Sequence, residues 1–275
     1  DRMTSKSLRE EAALALHESE SSRKPIPPLV ARWPELTVED AYEIQRINID
    51  RRVQAGAAIR GHKVGLSSRA MQEMMGVREP DYGHLLDQMF VFESDSVAVD
   101  DLIQPRVEIE VAFVLGAPLP TRGCNVADVI RATEFVLPAI EIIDSRIADW
   151  QIGIVDTIAD NASSARVVLG GNPVRLEDVD VRGIGAALRL NGEIVETGTA
   201  AAVLGNPVTA VAWLARTIGT FGVSLEPGHV VLPGSCTRAV TVQAGDAVRA
   251  DFDTLGHVDV SFVAGSNDSS GRGPE

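Results

Sequence analysis

Two glutamates one residue apart, Glu108 and Glu110, sit inside the run Pro105-Arg106-Val107-Glu108-Ile109-Glu110-Val111-Ala112-Phe113-Val114-Leu115. As a strand, this run puts Val107, Ile109, Val111, Phe113 and Leu115 on one face and both carboxylates on the other. Like charges on one face repel, and burying that face calls for a compensating cation. A hard divalent metal is one answer. A half-exposed strand with a solvated acidic face is the other reading of the same pattern. A second run, Phe135-Val136-Leu137-Pro138-Ala139-Ile140-Glu141-Ile142-Ile143-Asp144, carries a lone glutamate, Glu141. Continuous apolar runs are usually buried on both faces, where an unpaired charge is costly. Three carboxylates from two strands would make an oxygen-rich site for Mg²⁺, which keeps coordination positions for water or substrate oxygens. A catalytic metal needs such open positions.

Other chemistries lack their signatures. There is no phosphate-binding glycine loop and no nucleophile elbow for Ser-His-Asp catalysis. Cys236 has no base partner in the sequence, and His17, His84, His229 and His257 show no metal-type spacing. His62 faces away from Lys63 on an expected strand and reads as a packed or supporting histidine.

The net charge is -14, from 25 basic and 39 acidic residues, with no basic cluster. Nucleic acid is therefore not expected as a partner. The 275 residues are 45% hydrophobic and 23% charged, as in an ordinary globular protein. No run of about eighteen apolar residues occurs, so no membrane span is expected. The charged start of the chain does not resemble a signal peptide. Two cysteines, Cys124 and Cys236, suggest no disulfide scaffold and fit a cytoplasmic setting. Aromatic residues make up only 4%, so the core must rest on Val, Ile, Leu and Ala.

The elements that must position these residues follow from period and punctuation. A helix is expected over 5–23, with Leu8, Ala12, Ala15 and Leu16 on one side, broken by Pro25, Pro27 and Pro28. Thr37 caps a second helix, to about Val53, with Asp40 completing a capping box. Residues 59–66 form a short strand, and Ser67 or Ser68 caps a short helix through Met75. Pro80-Asp81-Tyr82-Gly83-His84-Leu85 is expected as a turn or loop. Strands are placed near 90–99 and at 107–115 and 135–143, with an Asn125-capped helix between the last two. Residues 144–164 form an ordered polar loop. Asn191-Gly192 joins a hairpin, and Asn206-Pro207 opens a helix to about Ile218. Strands are expected at 229–232, 239–243, 247–253 and 257–263. This gives one domain over 1–264, with a helical part at about 5–56 and a β-rich part at about 57–264, and a disordered tail at 265–275.

Five segments carry a resemblance: Gly61-His62-Lys63-Val64-Gly65, Pro105 to Glu110, Asp144-Ser145-Arg146-Ile147-Ala148-Asp149-Trp150, Asp156-Thr157-Ile158-Ala159-Asp160-Asn161-Ala162-Ser163 and Leu232-Pro233-Gly234-Ser235. In this order they resemble the 2-keto-4-pentenoate hydratase (2-hydroxypenta-2,4-dienoate hydratase) family of the fumarylacetoacetate hydrolase superfamily, over roughly residues 8–263. Two departures are visible: His62 stands where an aromatic is common, and Cys236 where an aliphatic residue is frequent.

The resemblance implies an α+β fold, a β-rich roll with helices at the N-terminal end. It implies Mg²⁺ or Mn²⁺ held by Glu108, Glu110 and Glu141, with Lys63 and Asp81 on the reacting side. It also implies a homo-oligomer built from pentameric rings, up to a decamer. The implied reaction is hydration of a 2-hydroxy-2,4-dienoate, through its 2-oxo tautomer, to a 4-hydroxy-2-oxo acid in aromatic or steroid-ring meta-cleavage catabolism. A cation beside three glutamates and a substrate carboxylate leaves the site negative, which Lys63 would offset. Asp156, Asn161 and Ser163 are candidates for substrate contact, against local capping as the alternative. Ser235 follows Gly234 in a turn whose backbone donors suit a carboxylate. The closest rival is a 2-oxo-3-hexenedioate (4-oxalocrotonate) decarboxylase, whose second substrate carboxylate calls for a distal cation such as Arg146 or Arg69. An acylpyruvase-type hydrolase would need a dedicated base that the sequence does not offer. A non-catalytic assembly partner would be expected to have lost a ligand.

Overall fold

The computed structural model describes residues 5–93 and 95–265. Its N-terminal part is helical: α1 (Ser5–Ser22), α2 (Leu29–Arg32) and α3 (Val38–Gln54). Thr37 and Asp40 form the reciprocal capping box at the start of α3. Leu8, Ala12 and Leu16 of α1 are buried against Ala41 and Ile44 of α3, so the apolar spacing became a packed face.

The chain then enters β1 (Ile59–Gly65) and the short helix α4 (Arg69–Met74), capped by Ser68. Next come β2 (Asp81–Leu86), β3 (Phe90–Val91), β4 (Ser96–Ala98) and β5 (Arg106–Leu115). Helix α5 (Val126–Ala132) runs straight into β6 (Thr133–Ile143), followed by α6 (Ile154–Ala159) and β7 (Ser164–Leu169). The hairpin β8 (Gly185–Leu190) and β9 (Glu193–Thr199) turns at Asn191-Gly192, both at positive φ. Two positive-φ residues are what a type I′ hairpin turn demands. Helix α7 (Pro207–Gly219) and β10 (Val230–Leu232), β11 (Val240–Thr241), β12 (Ala247–Phe252) and β13 (Gly256–Val263) complete the order.

The strands form two sheets. The larger runs β2-β1-β10-β5-β6-β7-β3, with β11 added beside β5, and the smaller runs β4-β13-β12-β8-β9. The apolar face of β5 (Val107, Ile109, Val111, Phe113) is fully buried with Ile140 and Ile142 of β6, Leu214 of α7 and Val258 and Val260 of β13. The two-residue period therefore leaves the opposite face of β5 and β6 to carry the carboxylates.

Three expectations change. Residues 80–85 are not a loop: Asp81 to Leu86 pair antiparallel with β1 and are all buried, so tertiary pairing overrode the turn chemistry of Pro80-Asp81. The single strand near 90–99 is two short strands, β3 pairing with β7 and β4 with β13, in different sheets. The polar stretch 144–164 contains α6 and leads into β7. Of the expected tail, Gly265 is anchored by its N–H to Asp100, and 266–275 lie outside the described residues.

Candidate active site

Register brings the carboxylates together. Glu108 of β5 lies directly opposite Glu141 of β6, and Glu110 lies two residues along the same face. Each of the three offers an oxygen, and these oxygens all lie within 4.8 Å of one another. Glu110 and Glu141 are fully buried, while Glu108 is half-buried on the wall of a cleft of about 410 Å³.

The cleft exists because β5 changes partner. β10 pairs with it at Phe113 and Val114, and β11 returns to it only at Arg106 and Val107. Between these points residues 233–239 detour around the acidic face. The detour is pinned by Gly234, whose N–H donates to Glu110 Oε2 at 2.8 Å, and by Cys236, whose N–H donates to the Ile109 carbonyl. Gly234 has φ +136°, and a Cβ there would strike the Ser67 hydroxyl, so only glycine fits.

Lys63 comes from β1, buried, with Nζ 3.1 Å from Glu141 Oε1 and donating at 2.7 Å to the Ala162 carbonyl. That carbonyl is presented by Asn161, Ala162 and Ser163, three consecutive non-glycine residues at positive φ. Strained turns of this kind persist only where the surroundings over-determine them. Here Asn161 ties the turn to β2: its Nδ2 donates to the His84 carbonyl, and its Oδ1 accepts from the His84 N–H. The glycines beside Lys63 serve close protein approach. A side chain at Gly61 would strike the Val230 carbonyl, and one at Gly65 the Asp81 carboxylate.

Electrostatics follow from burial and crowding. Burial, and then the Glu141 charge, push Glu108 up to about 7 and Glu110 well above the ordinary carboxylate range. Burial opposes the Lys63 ammonium, but Glu141, Glu108, Asp81 and Glu110 outweigh it and raise its pKa. Burial pushes Asp81 up to about 6, against the pull of Lys63. Glu110 Oε1, Asp81 Oδ1 and Glu141 Oε2 are buried without a hydrogen-bond partner, and Glu141 Oε1 meets only the Lys63 ammonium. Three crowded carboxylates, two of them with orphaned oxygens, are a donor set that suits a hard divalent cation.

Lys63, Asp81, Glu108, Ser163 and Ser235 all line the cleft. The Ser235 hydroxyl is spent on the Thr237 carbonyl at 2.8 Å. Asp156 and Asn161 do not line the cleft. Asp156 caps, accepting from the N–H groups of Leu29 and Gly153, and Asn161 holds its turn. The capping alternative describes Asp156, whereas Asn161 spends its side chain on the distant His84 backbone of β2. Arg146 is likewise unavailable: it is buried, with Nε donating to Asp160 Oδ1 at 2.6 Å and Nη2 to the Asp160 carbonyl. Arg69 is exposed, near Glu73. Arg106 and Trp150 also line the cleft, outside the set of site residues expected from the sequence. The period-two spacing of Arg106 from Glu108 was the signal available for the first.

The fumarylacetoacetate (FAA) hydrolase C-terminal family model matches residues 53–263. A 2-keto-4-pentenoate hydratase of Paraburkholderia xenovorans (strain LB400) is 43% identical over 254 residues, 92% of this chain and 94% of the relative. The chain belongs to the 2-keto-4-pentenoate hydratase family. It is an enzyme of this hydro-lyase type, within the fumarylacetoacetate hydrolase superfamily. A 2-oxo-hept-4-ene-1,7-dioate hydratase of Escherichia coli is 41% identical over 257 residues, 91% of this chain and 96% of the relative. Among solved structures, 4-oxalocrotonate decarboxylase from Pseudomonas putida G7, complexed with magnesium and adipate, superposes with a TM-score of 0.90. It is 38% identical and covers 95% of this chain and 99% of its own. N-terminal helices on a curled β-rich body are the superfamily's fold, as the resemblance implied.

Proposed function

We propose that this enzyme adds water to a 2-hydroxy-2,4-dienoate, through its 2-oxo-enoate tautomer, to give a 4-hydroxy-2-oxo acid in meta-cleavage catabolism. The observation that carries this reading is the trio Glu108, Glu110 and Glu141, with orphaned buried oxygens on Glu110 and Glu141, behind a cleft that Glu108 and Lys63 line. These glutamates would hold Mg²⁺ or Mn²⁺. With a divalent cation bound there, the chemistry gained is polarisation of a 2-oxo acid's carbonyl.

The chain's own groups do the rest. The Lys63 ammonium stands where negative charge would grow on the substrate oxygen and lowers the cost of that charge. Held by Glu141 and Ala162, it needs no reorientation to act. Asp81, titrating near 6 and free at Oδ1, exchanges a proton with substrate or water. Ser163 offers a hydroxyl on the same wall, and Leu66, Met71 and Ile152 supply apolar surface that limits water. We further propose a cytoplasmic homo-oligomer, a pentameric ring or decamer.

The test is an ultraviolet assay with fresh 2-hydroxypenta-2,4-dienoate, with and without Mg²⁺ or Mn²⁺, and product identification by mass. Metal-dependent loss of the dienoate chromophore with gain of one water is expected. The similarity to 4-oxalocrotonate decarboxylase favours decarboxylation as the second reading. Carbon dioxide release from 2-oxo-3-hexenedioate, without hydration of the dienoate, would select it.

A further inference from the structure

Arg146 and Asp160 do not line the cleft, yet their ion pair encloses the turn that serves it. Asn161, Ala162 and Ser163 hold φ of 53°, 51° and 59°. The left-handed region is costly for residues with a side chain, least so for asparagine, and three in succession need restraint from outside. This turn sets the Ala162 carbonyl 2.7 Å from Lys63 Nζ, which donates to it, and puts Ser163 on the cleft wall.

One buried side chain closes both ends of the turn. Arg146 Nε donates to Asp160 Oδ1 at 2.6 Å, and Nη2 donates to the Asp160 carbonyl at 2.8 Å. Its Nη1 donates to the Ser164 carbonyl at 3.1 Å, and its backbone N–H to Asp160 Oδ2 at 2.9 Å. Residues 160 and 164 flank the turn, so a single guanidinium fixes the span between them. Arg146, Asp160 and Ser164 are all buried, where charge-assisted bonds are only weakly screened. The Asp144 N–H ties the third turn residue separately, donating to the Ser163 carbonyl at 2.9 Å. A lysine cannot copy this staple. Its ammonium is a point charge, whereas the planar fork reaches a carboxylate and two carbonyls at once.

We propose that Arg146 is a positioning residue for Lys63: by stapling Asp160 to Ser164 it holds the Ala162 carbonyl on Lys63 Nζ and fixes where that ammonium points. This rests on the proposed function, since it takes Lys63 to face the reacting substrate. The route is mechanical and runs through the backbone, from the guanidinium to residues 160 and 164, then to the Ala162 carbonyl, then to Nζ. A shift of about 1 Å at a reacting group is enough to cost about a hundredfold in rate.

Two variants of the full chain, with Mg²⁺ in excess, test it. Arg146→Met combined with Asp160→Asn removes the staple and both charges together, so neither is stranded in the interior. Arg146→Lys keeps a charge opposite Asp160 but loses the bridge. The first readout needs no substrate: the rate at which acetic anhydride modifies Lys63, followed by mass spectrometry. Lys6 and Lys24, both exposed, are the only other lysines and serve as references. Wild-type Lys63 is expected to react far more slowly than either. In the double variant it is expected to react about tenfold to a hundredfold faster, the range for losing one hydrogen bond to a charged group. The second readout is kinetic. On the dienoate, kcat is expected to fall about a hundredfold with KM and Mg²⁺ affinity within a few-fold of wild type. Arg146→Lys is expected to show both changes to a lesser degree. A folded double variant with wild-type Lys63 reactivity overturns the proposal, whatever happens to kcat, and so does a change confined to KM. Wild-type Lys63 as reactive as Lys6 and Lys24 overturns it even if neither variant folds. A wild-type enzyme that leaves the dienoate unchanged sinks the hydratase reading, while Lys63 reactivity still decides for or against the staple.

Discussion

Lys63 Nζ stands 3.1 Å from Glu141 Oε1 deep in the protein, on a strand separated from that of Glu141 by two others. The pair is the ammonium's share of a cluster that also holds Glu108, Glu110 and Asp81. Losing one partner of such a pair leaves an uncompensated buried charge. Lys63→Met is expected to lower metal-free stability by about 3 kcal/mol, to regain part of it when Mg²⁺ is added, and to turn over about a thousandfold more slowly. Melting with and without Mg²⁺, together with the dienoate assay, checks this. Unchanged turnover would remove Lys63 from the reaction.

Glu108→Gln and Glu110→Gln keep shape and remove one charge from a repelling set. Divalent-cation affinity is expected to fall about a hundredfold in each, the scale of a 2–3 kcal/mol loss at a charged contact. Metal-free melting should stay level or rise, because like-charge repulsion is relieved. Calorimetric Mg²⁺ titration decides. Full activity of either variant at limiting Mg²⁺ contradicts the ligand assignment.

Asp81 is buried beside Lys63 with Oδ1 unpartnered, and burial holds its pKa near 6. Asp81→Asn is nearly isosteric and should retain Mg²⁺ affinity within a few-fold. Turnover is expected to drop by about 10² to 10⁴, the range for a general acid–base group. Equal losses in Mg²⁺ binding and in rate would instead make Asp81 part of the cation site.

The rings of His62 and His84 pack tilted against each other inside the protein, centroids 4.8 Å apart, on the far side of β1 from Lys63. Burial first, and then the charges of His84 and His229, hold His62 well below its ordinary 6.5, and burial holds His84 near 4. An unfolded chain takes up these protons at about 6.5, whereas the folded protein refuses them until lower pH. The stability these rings contribute is therefore full above about 6.5 and is lost as pH falls toward 4. The raised carboxylates act in the opposite sense, so the clean measurement is a difference. His62→Phe should gain on the wild-type protein by about 1.4 kcal/mol per pH unit through that window. Urea unfolding at pH 7, 6 and 5 checks it, and a constant difference would refute it.

Features that depend on near neighbours were legible along the chain. Thr37, Asn125 and Asn206 announce helix starts because a cap bonds N–H groups two or three residues away. Asn191-Gly192 announces its hairpin because both residues tolerate positive φ. Glu108 and Glu110 share a face because the strand period is two. Only the tertiary structure could decide what depends on partners distant in the chain. Register set Glu141 opposite Glu108. The return of β11 beside β5 opened a cleft over the acidic face, and pairing with β1 turned Asp81 from an expected turn into a strand residue. Asp156, Asn161 and Arg146 were drawn into capping, backbone bonding and ion pairing, while Arg106 was left facing the cleft. Each outcome rests on which groups were desolvated together, and burial makes a buried polar atom find its partner across the fold rather than along the chain.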